Sequence, residues 1–212
     1  MSDFVFFPSC NFAAASPEAA RRLRAAMAER MPVAGCCRTD PLDLPEGATA
    51  LYFCQACRET LEARAPGKLV LQNLFVWLDG LRGFRLPDHS GLTVTVQDCW
   101  RDRDHPEIFD ATRSLLRKMG VRVLEMPDNR ERSGFCGDIH FTPRRPENIE
   151  LLKQHASTPL RQLSDEVKAR LFAEQVERLP CETVVTVCNR CKIGLSLGGA
   201  RALHLMELVF SA

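Results

Sequence analysis

Nine of the ten cysteines in this chain fall into two copies of one order. The first copy is Cys10, the adjacent pair Cys36-Cys37, then Cys54-Gln55-Ala56-Cys57. The second is Cys99, then Cys136, then Cys188-Asn189-Arg190-Cys191. A fold that accommodates this sequence has to gather two sets by the same route, which points to a duplicated unit.

The segments between the cysteines repeat too. In the first half, residues 3–7 form a short apolar run, predicted as a strand leading to Cys10. Residues 17–31 have helical spacing, with Ser16 as N-cap and Pro17 in the first turn. Residues 32–47, rich in Pro and Gly, read as a loop carrying Cys36 and Cys37, and residues 49–53 as a strand ending at Cys54. The second half runs the same way: a strand at 92–96 before Cys99, a helix at 105–119 closed by Gly120, a strand at 121–125, a loop at 127–137 carrying Cys136, and a strand at 183–187 before Cys188. Residues 68–78 and 201–210, which follow the two Cys-x-x-Cys motifs, share their apolar spacing.

Strands alternating with helices predict an α/β fold: two tandem pseudo-symmetric βα subdomains with mainly parallel sheets. The expected division is 1–86 and 87–212, joined through residues 84–90, with a helical insertion around 139–180 that carries helices at 146–155 and 164–179. Functional groups in such sheets gather beyond the carboxyl ends of the strands. Cys10, Cys54, Cys99 and Cys188 all follow apolar strands, so metal sites are expected at those ends.

The charge balance narrows the partners. With 28 basic and 27 acidic residues the net charge is +1, which gives nucleic acid or an anionic membrane no electrostatic attraction. No apolar run approaches the ~20 residues of a membrane span, and the first residues lack the basic and apolar regions of a signal peptide. A cytoplasmic protein is therefore expected, and clustered cysteines in a reducing compartment are metal-binding or redox-active rather than disulfide-bonded.

Five thiols in the first set exceed the needs of one zinc ion or one four-cysteine cluster. Neighbouring side chains such as Cys36 and Cys37 diverge in extended backbone, which suits a cluster with several irons. The second set has four thiols, with Phe135 where the first has Cys36, and by count it suits a [4Fe-4S] cluster or zinc equally. Cys181 has no counterpart and reads as a buried apolar thiol. Arg38, Arg58, Arg101, Arg190 and Lys192 stand beside the thiols, as charge partners or as solvated surface groups. The histidines lack ligand spacing and read as structural, and Trp100, next to Cys99, is placed to cover a metal site. No phosphate loop, dinucleotide fingerprint or Ser/His/Asp arrangement is present. Besides an iron–sulfur protein, a zinc-stabilised interaction module and a thiol–disulfide relay remain open.

The doubled order Cys, Cys-Cys, Cys-x-x-Cys resembles the cysteine-rich CCG domain found in heterodisulfide reductases and in related iron–sulfur proteins. The matching residues are Phe7-Pro8-Ser9-Cys10, Gly35-Cys36-Cys37 and Phe53-Cys54-Gln55-Ala56-Cys57, then Val96-Gln97-Asp98-Cys99, Phe135-Cys136-Gly137 and Val187-Cys188-Asn189-Arg190-Cys191. The resemblance implies a [4Fe-4S] cluster, cubane or noncubane, on Cys10, Cys36, Cys37, Cys54 and Cys57. It implies a second metal centre, [4Fe-4S] or zinc, on Cys99, Cys136, Cys188 and Cys191. It further implies an electron-donating oxidoreductase subunit as partner and a disulfide or thiol small molecule as substrate. Three departures stand out: Arg38 takes the place of the glycine after the first Cys pair, Phe135 that of a cysteine in the second, and the spacing is shorter than the family's usual from Cys37 to Cys54 and longer from Cys136 to Cys188.

Overall fold

The computed structural model describes residues 4–211; Asp3, the first residue of the first predicted strand, lies outside them. Strands β1 (Phe4–Phe6), β2 (Thr49–Tyr52) and β3 (Val70–Asn73) form a parallel sheet in that order. Helices α1 (Cys10–Ala15) and α2 (Pro17–Ala28) link the first two strands, α3 (Gln55–Arg64) crosses to the third, and α4 (Leu74–Gly80) follows it.

The second half begins with β4 (Thr93–Gln97), α5 (Pro106–Lys118) and β5 (Arg122–Leu124). A short antiparallel hairpin, β6 (Phe135–Cys136) and β7 (His140–Phe141), leads into α6 (Pro146–Gln154) and α7 (Asp165–Val176). Then come β8 (Thr183–Thr186), α8 (Asn189–Leu197), β9 (Arg201–His204) and α9 (Leu205–Val209). The second sheet, β5-β4-β8-β9, is also parallel throughout.

The two sheets are one topology used twice. β1, β2 and β3 correspond to β4, β8 and β9, and α3 and α4 to α8 and α9. The counterpart of β5 has shrunk to a single parallel bridge between Phe6 and Val33, inside the stretch predicted as loop. The fold is thus the α/β arrangement of repeated βα units that the sequence predicts. The helices of the insertion form at 146–154 and 165–176, slightly shorter than expected because their last turns unwind into loops.

Crossover helices cover parallel sheets, so the strands are buried and apolar. All of β8 is buried, as are three of the four residues of β2. Side chains alternate between faces. Phe6, Leu51 and Phe53 point into a core shared with Val94, Val185 and Leu205 of the second half. Val5, Phe7, Ala50 and Tyr52 point the other way, into a smaller cluster with Leu61 that contains Cys37, Cys54 and Cys57. Among the described residues no helix is long and apolar enough to cross a membrane.

Two caps separate expectation from outcome. Ser164, the first residue of the predicted helix at 164–179, caps α7, accepting from the Val167 N–H at 3.3 Å. Ser16 does not cap α2: its hydroxyl donates to Glu207 at 3.0 Å and accepts from Lys192 at 2.8 Å. Charged partners from α8 and α9 outcompete a local amide, and the exchange ties the two halves together.

His204 shows what this core demands. Its Nδ1 accepts from the Met206 N–H at 3.2 Å, as the Asn73 side chain accepts from the Phe75 N–H at 2.8 Å in the first half. The ring is fully buried, with centroids 4.7 Å from Phe12 and 5.8 Å from Phe53. Burial pulls its pKa down to about 4, whereas an unfolded histidine titrates near ~6.5. The unfolded chain therefore binds more protons within that window. Stability is unaffected by His204 above about pH 6.5 and falls by about 3 kcal/mol as the pH drops toward 4. His204→Asn, which keeps a capping oxygen, is expected to flatten that slope in urea unfolding curves recorded between pH 7.5 and 4.5.

Candidate metal centre

Each Cys-x-x-Cys occupies the same place in its unit. Cys54 and Cys188 stand just past β2 and β8 as the N-caps of α3 and α8, both with extended backbone, and Cys57 and Cys191 lie in the first turn. The free N–H groups and positive end of each helix therefore face the thiols. Cys99, just past β4, caps the short 3-10 turn Trp100–Asp102, and Cys10 opens α1 behind Ser9.

The second set closes on itself. Cys99, Cys136, Cys188 and Cys191 are buried, and their sulfurs all lie within 4.8 Å of one another. Cys99 and Cys136 are 3.4 Å apart, Cys136 and Cys188 3.9 Å. Thiolates at ~2.3 Å from one tetrahedral ion stand ~3.8 Å from each other, so the spacing fits a single metal ion. Burial pushes the Cys99 and Cys191 thiols far up, whereas Cys188, taking hydrogen bonds from Cys136, Cys191 and Cys99, is held far below the usual thiol range. A bound dication offsets the cost of burying thiolates here and favours the deprotonated form of all four.

Long-range contacts bring these four together. Gly137, at φ 51°, lies so close to α8 that a Cβ there would meet the Arg190 carbonyl oxygen at 2.0 Å. A Cβ on Gly194 would meet the Gly137 Cα at 2.7 Å. Two glycines thus let the β6 turn rest backbone to backbone on α8, which sets Cys136 against Cys188 and Cys191. Phe135 packs in the core, 6.0 Å from Phe141 and 5.5 Å from Phe172 of α7. The position that holds a cysteine in the first set here anchors the insertion. Cys99 is steadied from behind: Arg113 grips Asp98 with two bonds of 2.9 and 2.8 Å, and Ser133 donates to the Asp98 carbonyl at 2.6 Å. Gln175 completes the support through Gln97. Arg113, Ser133 and Gln175 carry no sequence signal of this role, since each acts across a gap set by the fold.

The first set stays open. Its thiols form a row of neighbours from Cys10 to Cys36, Cys37, Cys57 and Cys54. Cys37, Cys54 and Cys57 are buried, Cys36 is half-buried and Cys10 is exposed. Among the described residues these five do not converge on one point as the other four do. A hydrogen bond from Cys57, with help from Ser9, pulls Cys54 down to about 6 against the cost of burial, while the same bond and burial raise Cys57. Asn11 Nδ2 donates to the Cys54 sulfur at 3.8 Å.

The basic residues expected beside the thiols divide. Arg58 is buried and structural: it bonds Asp102 at 2.9 Å and the Arg101 carbonyl at 2.7 Å, joining the halves. Burial pushes the Asp102 carboxyl up to about 6, although Gln55 and Arg58 both hold its anion. Arg101 pairs with Glu59, Arg190 with Asp138 at 3.0 Å, and Lys192 with Glu207 at 2.7 Å. Trp100 is sandwiched between His140, stacked at 4.0 Å, and Arg103 at 4.1 Å. Cys181, expected to be buried, is half-buried and donates to the Thr183 carbonyl at 3.4 Å, because it lies in the loop before β8 rather than in the strand.

Compared with known proteins, the sequence matches no family model and no curated protein.

Gly137→Ala is expected to force the β6 turn off α8 and to cost about 3 kcal/mol. It should also abolish metal binding by the second set, read as metal per chain after desalting. Gly83→Ala, with φ 77° but open space around it, is expected to cost only about 1 kcal/mol and to leave metal content unchanged.

Proposed function

We propose that this protein is an iron–sulfur redox protein of the cysteine-rich CCG type, akin to the CCG-domain proteins of heterodisulfide reductases. In this reading Cys10, Cys36, Cys37, Cys54 and Cys57 hold a [4Fe-4S] cluster, and Cys99, Cys136, Cys188 and Cys191 hold a single zinc ion. The observation that carries it is the contrast between two equivalent sets: four thiols closed and buried, five thiols open and reaching the surface.

When bound, the cluster supplies one-electron transfer at a potential tuned by its surroundings. The chain's own residues set those surroundings. Asn11 and Ser9 donate toward Cys54, and the N-terminal end of α3 adds favourable potential for thiolate. Cys10 and Cys36 leave one side of the set accessible, where a thiol or disulfide substrate can approach and to which a partner oxidoreductase subunit delivers electrons. Zinc is redox-inert, so the second centre fastens the β6 hairpin and the insertion to α8. This chemistry belongs in a reducing, cytoplasmic setting.

A zinc-stabilised module without redox chemistry is the second reading, favoured by the compactness of the second set. Metal analysis of anaerobically purified protein separates the two. The redox reading expects about four irons and four acid-labile sulfides per chain together with about one zinc. Cys54→Ser should lose iron and sulfide but keep zinc, and Cys188→Ser should lose zinc. Zinc without sulfide, after expression in iron-rich medium, would overturn it.

A further inference from the structure

Between the two thiol sets lies a cleft of about 450 Å³, reached from Cys54 on one wall and Cys188 on the other. Its size suits a small molecule. We propose that it binds a small organic dianion, held by Arg38, Arg161 and Asn189. The proposal deepens the redox reading, because it names the charge class of the substrate, yet the binding itself does not depend on which metals are present.

Three independent observations point to an anion. The first is charge. Arg38, Arg101, Arg161 and Arg190 line the cleft, against one carboxylate, Glu59, and two thiols, Cys54 and Cys188, whose negative charge a bound metal offsets. Arg101 is paired with Glu59 and Arg190 with Asp138. Arg38 and Arg161 have no carboxylate partner among the described residues, which leaves two guanidinium groups for a ligand's two negative charges. The second is backbone polarity. The first turns of both α3 and α8 open onto the cleft, through Gln55 and Ala56 and through Asn189 and Arg190. Their unpaired N–H groups add positive potential from two directions.

The third is an unfilled hydrogen-bonding group. Asn189 lines the cleft and is only 4% exposed, yet neither its Oδ1 nor its Nδ2 has a partner. Leaving a buried amide unsatisfied costs on the order of 1–3 kcal/mol. Both amide atoms are buried as they stand, so a turn of the side chain toward the cleft is what would let a ligand oxygen take the Nδ2 hydrogens and remove part of that cost.

The same geometry gives the insertion a purpose. Arg161 lies on the short turn Leu160–Gln162, within the segment that the first half lacks, and Ile139 from its start also reaches the cleft. Arg38 occupies the position after Cys37. Each half therefore contributes one unpaired cation, and the cleft is complete only when the halves are docked.

The test is titration calorimetry of the metal-loaded chain with malonate, inorganic phosphate and the uncharged analogue malonamide. Malonate or phosphate is expected to bind and malonamide not to, and the stronger of the two anions identifies carboxylate or phosphate chemistry. Arg38→Gln and Arg161→Gln should each weaken binding about tenfold, whereas Arg85→Gln, on the exposed linker, should not. Metal content measured on the same samples separates loss of the cleft from loss of the metal centres. The proposal stands if an anion binds and at least one of the two cleft substitutions weakens it by about fivefold or more; any other outcome overturns it. A chain that carried zinc alone would sink the redox reading and leave this result unaffected.

Discussion

Gly137 and Gly194 meet where a side chain on either would collide with neighbouring backbone, and much of the second half is arranged around that meeting. It seats the β6 turn on the first turn of α8, so Cys136 faces a Cys-x-x-Cys whose backbone is already set by β8 and the helix cap. Phe135, one residue earlier, is thereby committed to the aromatic cluster with Phe141 and Phe172. The insertion can then pack on α8, and its turn at 160–162 hangs over the cleft. Close backbone approach leaves few alternative registers, which is why four sulfurs from three distant segments lie within 4.8 Å of each other.

The two halves start from one plan and diverge in what surrounds the sulfurs. In both, the strand ends, the cysteine caps the next helix and the second cysteine follows in its first turn. Even the later cap keeps its role, with Asn73 before α4 and His204 before α9. The companions differ. The loop with Cys36 and Cys37 stays at the surface, held by contacts such as Arg64 to the Cys37 carbonyl. The loop with Cys136 is packed against α8 and the insertion, while Arg113, Ser133 and Gln175 brace the segment before Cys99. Burial rather than thiol count separates a closed site from an open one. The interface between halves is polar as well as apolar: Arg58 with Asp102, and Ser16 with Lys192 and Glu207, lock the units that the shared phenylalanine core holds together.

Much of this is legible in the chain. The apolar runs before Cys54, Cys99 and Cys188 are strands, the spacing at 146–155 and 164–179 gives helices, and the parallel α/β plan follows from their alternation. These are local signals, and buried parallel strands express them strongly. The differences have physical causes too. Ser16 has the sequence context of a cap for α2, but charged groups distant in sequence claim its hydroxyl. Val33 lies in a stretch with the composition of a loop, although one bridge makes it the remnant of an edge strand. Arg58 is a neighbour of the thiols in sequence, yet the first turn of α3 points it at Asp102 instead.

By itself the sequence determined the repeated βα plan and the strand ends that carry Cys54, Cys99 and Cys188, because these depend on spacing and propensity within short windows. Only the tertiary structure decided that one set closes to the size of a single ion while the other stays open, and that a cationic cleft lies between them. Those outcomes depend on distances between segments up to 92 residues apart in one set, from Cys99 to Cys191, and on which loop the insertion covers. Packing fixes such distances, and no local pattern encodes them.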